Sequence, residues 1–162
     1  MHVAGDVAEE LALDSGHGDI SAKVQTARAL DVRTGRGDLR VAAANIGGLL
    51  TVKTGAGDVE IIAEAVGEFV AHSGTGSVGV VLDSTDGRAE ITTSNGDIKL
   101  VVSDDLRFNL DASTSNGDAD CRLDLANLER HKDGRSVRGS RLGGGPDIRL
   151  RSGSGDVVVR TR

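Results

Sequence analysis

A five-residue motif recurs along the whole chain and constrains its fold more than any other feature. In its fullest form it reads Thr54-Gly55-Ala56-Gly57-Asp58. Steps between successive copies are 19, 20, 19, 20, 21 and 38 residues, and 38 is two periods of 19. A self-similar period near twenty residues is typical of repeat proteins, in which each unit stacks on its neighbours. The last positions of the seven copies are 19, 38, 58, 77, 97, 118 and 156.

Apolar residues alternate with polar ones on both sides of each motif. In the third copy the apolar positions are Leu50, Val52, Val59 and Ile61, and the other copies repeat these columns. A period of two predicts two short, half-buried strands per repeat, and no long segment has the helical period of 3.6. The chain is therefore predicted to be an all-β single domain over residues 1–162. With two Phe and no Trp or Tyr, its core has to be thin.

Two topologies satisfy this alternation. In a β-solenoid, equivalent residues stack in register from coil to coil; in an antiparallel meander, each repeat is a hairpin with the motif as its turn. Near-constant repeat length and column-by-column identity favour the solenoid, because a meander tolerates uneven hairpins. We therefore expect a β-helix-like solenoid of about eight coils with a period near 20 residues.

The regular pattern stops between residues 127 and 145, where the sequence predicts an exposed, irregular loop. Beyond it, the strand over 156–160 is expected to be the open edge of the solenoid. Residues up to Cys121 carry 9 Lys+Arg and 20 Asp+Glu, whereas those from Arg122 onward carry 10 and 5. If this division follows the solenoid axis, molecules should associate head to tail, more strongly at low salt. The alternative is that Arg160 and Arg162 protect the edge by charge.

Each motif residue has a predicted structural role. The Ser or Thr should face inward and the glycines should supply positive φ at the turn. The aspartate should face outward, where its carboxylate caps backbone N–H groups of its turn. The alternative is a column of carboxylates that binds Ca²⁺, which favours clustered oxygen ligands. The Ca²⁺ candidates are Asp19, Asp38, Asp58, Asp97, Asp118 and Asp156.

No arrangement of residues predicts catalysis, so we expect a non-enzymatic protein with no cofactor. The four histidines have no ligand-like spacing, and every motif serine is explained by the repeat. Cys121 falls in an apolar column, which predicts a buried, inert thiol. The chain lacks both the aromatic residues and the basic balance typical of nucleic-acid binding, and no segment is apolar enough to span a membrane.

The repeated Ser/Thr-Gly-x-Gly-Asp units resemble the bacterial adhesin-like family of β-strand-repeat proteins, a domain of unknown function. The most specific segment is Gly143-Gly144-Gly145-Pro146-Asp147-Ile148-Arg149-Leu150-Arg151-Ser152-Gly153-Ser154-Gly155-Asp156-Val157. The resemblance implies a solenoid-like fold in a bacterial protein that is often exported or anchored and sometimes cytoplasmic. It carries over no catalytic residue. Ser77 in place of the aspartate and the long insertion near Arg135 depart from the pattern.

These observations predict a structural or interaction module with a protein partner or self-association. Two alternatives remain open at this stage: a self-assembling cytoplasmic scaffold, and a divalent-cation or glycan-binding protein. The location is expected to be cytoplasmic, or the cell envelope if an export segment has been trimmed from the chain.

Overall fold

The computed structural model describes residues 1–6 and 9–162, and fifteen β-strands lie within them. The strands are β1 (His2–Gly5), β2 (Glu10–His17), β3 (Ile20–Ala27), β4 (Ala29–Arg36), β5 (Leu39–Ala56), β6 (Val59–Thr75), β7 (Val78–Thr85), β8 (Ala89–Asn95), β9 (Ile98–Val102), β10 (Phe108–Asn116), β11 (Ala119–Arg122), β12 (Ala126–Arg130), β13 (Ser136–Arg141), β14 (Asp147–Ser154) and β15 (Val157–Thr161). Among the described residues, no helix is long and apolar enough to cross a membrane.

The strands form a β-solenoid with two faces, which confirms the predicted fold class. Face A contains, in spatial order, β1, β3, the first half of β5, the first half of β6, β7, β9, β15 and β11. Face B contains β2, β4, the second halves of β5 and β6, β8, β14 and β10. Pairing within these two sets is parallel and joins equivalent motif positions, as stacking of coils requires.

The uninterrupted solenoid has about 5 turns with a period of about 20 residues, fewer than the eight coils expected. In β5 and β6 the backbone stays extended around the corner between the two faces, so that each strand is 18 or 17 residues long. The register shifts between Ile46 and Leu49, where β5 passes this corner beside β6. Two further coils follow in the sequence, and they do not stack in chain order.

The C-terminal coil (residues 147–161) lies between two coils that precede it in the sequence. Strand β14 pairs with β8 on one side and β10 on the other, and β15 pairs with β9 and β11 in the same way. The expectation that residues 156–160 form an open edge is therefore wrong. The expectation fails because every coil carries the same stacking groups, so the order of coils in space is free to differ from their order in the chain.

Residues 126–141 form a hairpin and not an irregular loop. Strand β13 pairs antiparallel with β10 and extends face B, and β12 pairs antiparallel with β13. Only the turn between them, residues 131–135, is fully exposed loop as predicted. This hairpin carries five basic and two acidic residues beside the coil at 103–124, which carries six aspartates and two arginines. Arg138 pairs with Asp111 at 3.2 Å, so the charge division of the sequence joins neighbouring segments within the molecule.

The core is a narrow column between the two faces, filled by the predicted apolar positions. Leu50, Val52 and Ile61 are fully buried, and so are both phenylalanines, Phe69 and Phe108. Motif hydroxyl residues join this core at the corner, as expected from their phase. The buried members are Thr34, Thr54, Ser73, Thr93, Thr114 and Ser152.

Candidate functional site

The buried hydroxyls at the motif corner bond the coils together. Thr54 Oγ1 donates to the carbonyl oxygen of Gly37 in the preceding coil at 3.2 Å. The intercalated C-terminal coil keeps the rule, because Ser152 Oγ donates to Gly96 and Thr114 Oγ1 donates to Gly155. A buried hydroxyl needs such a partner, since leaving it unpaired costs about 1–3 kcal/mol. These hydroxyl groups are therefore engaged in holding neighbouring coils together.

The aspartates form a second ladder along the same corner. The Asp38 carboxylate accepts the backbone N–H of Asp58 at 2.9 Å, and the Asp58 carboxylate accepts the N–H of Ser77 at 2.8 Å. The prediction that the motif aspartate accepts a backbone N–H holds for at least five of the six, but the N–H belongs to the next coil and not to the aspartate's own turn. Asp97, Asp156 and Asp118 continue the ladder in spatial order.

The six calcium candidates are thus stacked in one column, with at least five of them engaged as acceptors through one oxygen each. Across the described part of the chain, no group of three or more His, Cys, Asp or Glu side chains lies close enough to hold a metal ion. The column offers successive single carboxylates and not a convergent cage, whereas Ca²⁺ takes six to eight oxygen ligands.

The remaining candidate residues lie apart from one another. His17 and His72 are exposed on different coils, and His131 pairs with Asp133 at 2.8 Å. Cys121 is buried, as predicted, and this burial raises the pKa of its thiol above the ordinary value. A higher pKa means less thiolate at neutral pH, which makes the residue a poor nucleophile.

A polar cleft opens where the C-terminal strand ends meet the hairpin. Its arginines are already paired with carboxylates: Arg141 lies 3.6 Å from the Asp104 carboxylate, and Arg122 contacts the Asp120 carboxylate at 2.8 Å. Both charges in the cleft are therefore compensated, and the cleft has no excess of either sign to attract a ligand. The lining residues are Asp104, Cys121, Arg122, Leu123, Asp124, Arg141 and Thr161.

Face B carries a row of basic side chains that sequence reasoning missed. Register places Arg33 beside Lys53, and Lys53 beside His72. Next come Thr92 and then Arg151. At about 4.8 Å per strand, this basic row (Arg33, Lys53, His72 and Arg151) spans roughly 19 Å.

The two arginines and the lysine of the basic row differ in whether a carboxylate pairs with them. Arg33 pairs with Asp31 at 2.6 Å, and this pairing raises the pKa of the guanidinium. Lys53 and Arg151 are exposed and have no carboxylate within 4.0 Å among the described residues. The signal was present in the sequence, since all four residues stand five positions before the end of their motif. A single basic residue per repeat is visible only after the repeats are aligned.

A smooth neutral band lies beside the basic row, towards the motif corner. Its row of Thr75, Asn95 and Ser154 is in register and exposed. Glycines or serines stand between this row and the basic row, so no large side chain covers the backbone there. The surface thus combines separated positive charges with hydroxyl and amide groups on a rigid sheet.

Comparison with known proteins identifies the family. The chain matches the Toastrack DUF4097 family over residues 1–160 and therefore belongs to it. It is a domain of unknown function, and the match does not extend to an adhesin activity. No curated protein and no solved structure matches the chain significantly.

Proposed function

We propose that this Toastrack domain is a non-enzymatic interaction module that binds its ligand through the outward side chains of face B. The supporting observation is that the repeated hydroxyls bond neighbouring coils, as Thr54 does with Gly37, and that the repeated carboxylates do the same, as Asp58 does with Ser77. What varies between coils, and is free to contact a ligand, is the outward set of side chains.

The ligand class that suits this surface is a linear acidic glycan. Carboxylate or sulfate groups along such a polymer meet Lys53, His72 and Arg151 in turn, and sugar hydroxyls meet the neutral band. A chain without Trp or Tyr lacks stacking platforms for bases, which disfavours single-stranded nucleic acid. Adhesion to a glycan-coated surface is the biological role consistent with this chemistry.

The test uses two double variants with the same change of net charge. Lys53→Glu/Arg151→Glu reverses two free cations of the basic row, and Lys23→Glu/Lys99→Glu reverses two exposed cations of face A. Binding to a linear polyuronate is measured by calorimetry at several salt concentrations. Each reversal removes an attraction of about 0.5–1 kcal/mol and adds a repulsion of about 0.5–1 kcal/mol. The face B variant, with two reversals, should therefore bind at least about tenfold more weakly.

The control variant should keep most of its affinity. Equal losses in both variants would show that only net charge matters, and no binding by the native domain would refute the glycan assignment. A single-stranded oligonucleotide that competes at equal charge concentration would move the ligand class to nucleic acid.

A divalent-cation role and a scaffold role are weaker alternatives. The first would rest on the aspartate column, whose carboxylates already bond to neighbouring coils. The second was motivated by an open strand at residues 156–160, which instead lies between β9 and β11. Self-association therefore needs another structural basis.

A further inference from the structure

The C-terminal coil fills a slot between two coils that precede it. The slot is bounded by β8 and β9 on one side and by β10 and β11 on the other. Inside it, Leu150 lies in register with Ile91 and with Ala112, and Val159 lies in register with Leu100. Both faces of the coil are therefore paired along their length.

Polar contacts fix the coil in the slot from both sides. Ser152 Oγ donates to Gly96, and the Asp156 N–H donates to the Asp97 carboxylate at 2.8 Å. On the other side, the Asp156 carboxylate accepts the N–H of Asp118 at 2.9 Å. Beyond the coil, Arg162 pairs with Asp83 at 2.8 Å. None of these contacts depends on which chain supplies residues 147–162.

The linker at residues 142–146 delivers the coil by stepping over β10. Spatial order is β14, β10, β13, so the chain leaves β13 on one side of β10 and enters β14 on the other. The distance to be crossed is two strand spacings, roughly 9.6 Å. Gly145 lies against the backbone of Arg107, and the side-chain amide of Asn109 donates to the carbonyl oxygen of Gly145 at 2.9 Å.

This linker holds backbone strain. Leu142 has φ of +50° with an exposed side chain, a conformation that costs a branched residue about 1–2 kcal/mol. The next two residues, Gly143 and Gly144, also have positive φ, at +88° and +83°, which glycine adopts without strain, so the strain lies at Leu142. Short, strained hinges favour exchange of the segment they carry, because an extended hinge between two molecules relieves the strain.

We propose that the slot also accepts the C-terminal coil of a second copy of this chain, so that two molecules exchange residues 147–162 and form a reciprocal dimer. The exchange keeps every contact described above for the coil and changes only the linker. The acidic coil at 103–124 attracts the basic C-terminal coil equally from either chain. The linker raises the effective concentration of its own coil to roughly millimolar, so the monomer dominates in dilute solution. This inference does not depend on the ligand of face B.

The experiment places a disulfide where it reports which chain fills the slot. In a Cys121→Ala background, Thr92→Cys and Arg151→Cys introduce thiols at register partners on β8 and β14. Neighbouring strands lie about 4.8 Å apart, within the range that a disulfide spans. After oxidation, a monomer carries this bond within one chain, whereas an exchanged dimer carries it between chains.

A shortened linker drives the equilibrium towards exchange. Deleting residues 143–145 leaves two linker residues, and the three Cα-to-Cα steps from Arg141 to Asp147 then reach roughly 10 Å. That is the straight distance across β10, with nothing left to pass over its backbone. This variant should be a dimer at ~10 µM by light scattering, with the disulfide between chains on a non-reducing gel. A variant with four residues inserted after Gly144 is the matched control and should be monomeric.

A folded monomer from the shortened chain would overturn the proposal, as would a dimer whose disulfide lies within each chain. If the shortened chain fails to fold, the full-length cysteine pair is refolded at ~500 µM instead. An interchain disulfide in its dimer fraction supports exchange, and its absence overturns it. Leu142→Gly, which relieves the strain, should lower that dimer fraction.

Discussion

Replacing Gly57 by alanine tests the stacked motif corner most directly. Gly57 has φ of +140°, a conformation that is essentially restricted to glycine. A Cβ added there would also meet the carbonyl group of Gly37 in the preceding coil, with the carbonyl carbon at 2.6 Å. Because that carbonyl belongs to the backbone, the clash is relieved only by moving a whole coil.

The two effects add to a large loss of stability. Unfavourable φ costs about 1–3 kcal/mol, and overpacking against a neighbouring coil costs about 1–3 kcal/mol more. We therefore expect Gly57→Ala to lower the free energy of unfolding by roughly 2–6 kcal/mol. Gly18→Ala separates the effects, since Gly18 has φ of +108° but nothing within 4 Å of an added Cβ. Gly79→Ala is the neutral control, because φ is ordinary and its nearest atom would be 3.9 Å away.

Urea unfolding followed by far-ultraviolet circular dichroism measures all three variants. The expected order of destabilisation is Gly57→Ala, then Gly18→Ala, with Gly79→Ala unchanged within about 0.5 kcal/mol. If Gly57→Ala and Gly18→Ala lost the same free energy, the close approach of stacked coils would contribute nothing. That result would refute the reasoning from the motif corner.

Three further expectations concern the buried hydroxyls, the thiol and the aspartates. Thr54→Val removes the bond to Gly37 and should cost about 1 kcal/mol in urea unfolding, whereas Thr75→Val, at an exposed position, should cost nothing measurable. The raised pKa of Cys121 adds to the free energy of unfolding below the ordinary pKa of 9.0, and this contribution is lost as the pH rises through the pKa of the folded state. The urea concentration at the unfolding midpoint should therefore decrease above pH 9.0, and it should decrease more in the native chain than in Cys121→Ala. Millimolar calcium should leave the melting temperature unchanged, because the aspartates already bond to backbone; a rise reversed by a chelator would contradict this.

Much of the fold follows from the alternation around the motif. Val52 and Ile61 were predicted to face inward, and both are fully buried. Thr54 was predicted to join them, and it does. These predictions succeed because a period of two leaves one choice of face once the core side is known.

The spatial order of the coils could not be predicted, for a chemical reason. Asp156 follows Asp118 by 38 residues, which reads as two further periods, yet it lies between Asp97 and Asp118 in space. Identical motifs make identical hydrogen bonds, so the motif pattern alone does not indicate which coil is whose neighbour. The basic row was missed for a related reason. Its members are at least 19 residues apart in the sequence, and they are seen to be neighbours only once the strand register is known.

The interchangeability of coils has a consequence for how proteins of this kind change over time. At the motif corner, the hydroxyl and the aspartate N–H donate towards one neighbouring coil, and the aspartate carboxylate accepts from the other, as Asp156 does between Asp97 and Asp118. Any unit with this polarity fits anywhere in the row. Gene duplication or loss of one whole repeat should therefore leave a foldable protein, while gain or loss of part of a repeat should not. Variation in length among relatives is expected in steps of about twenty residues.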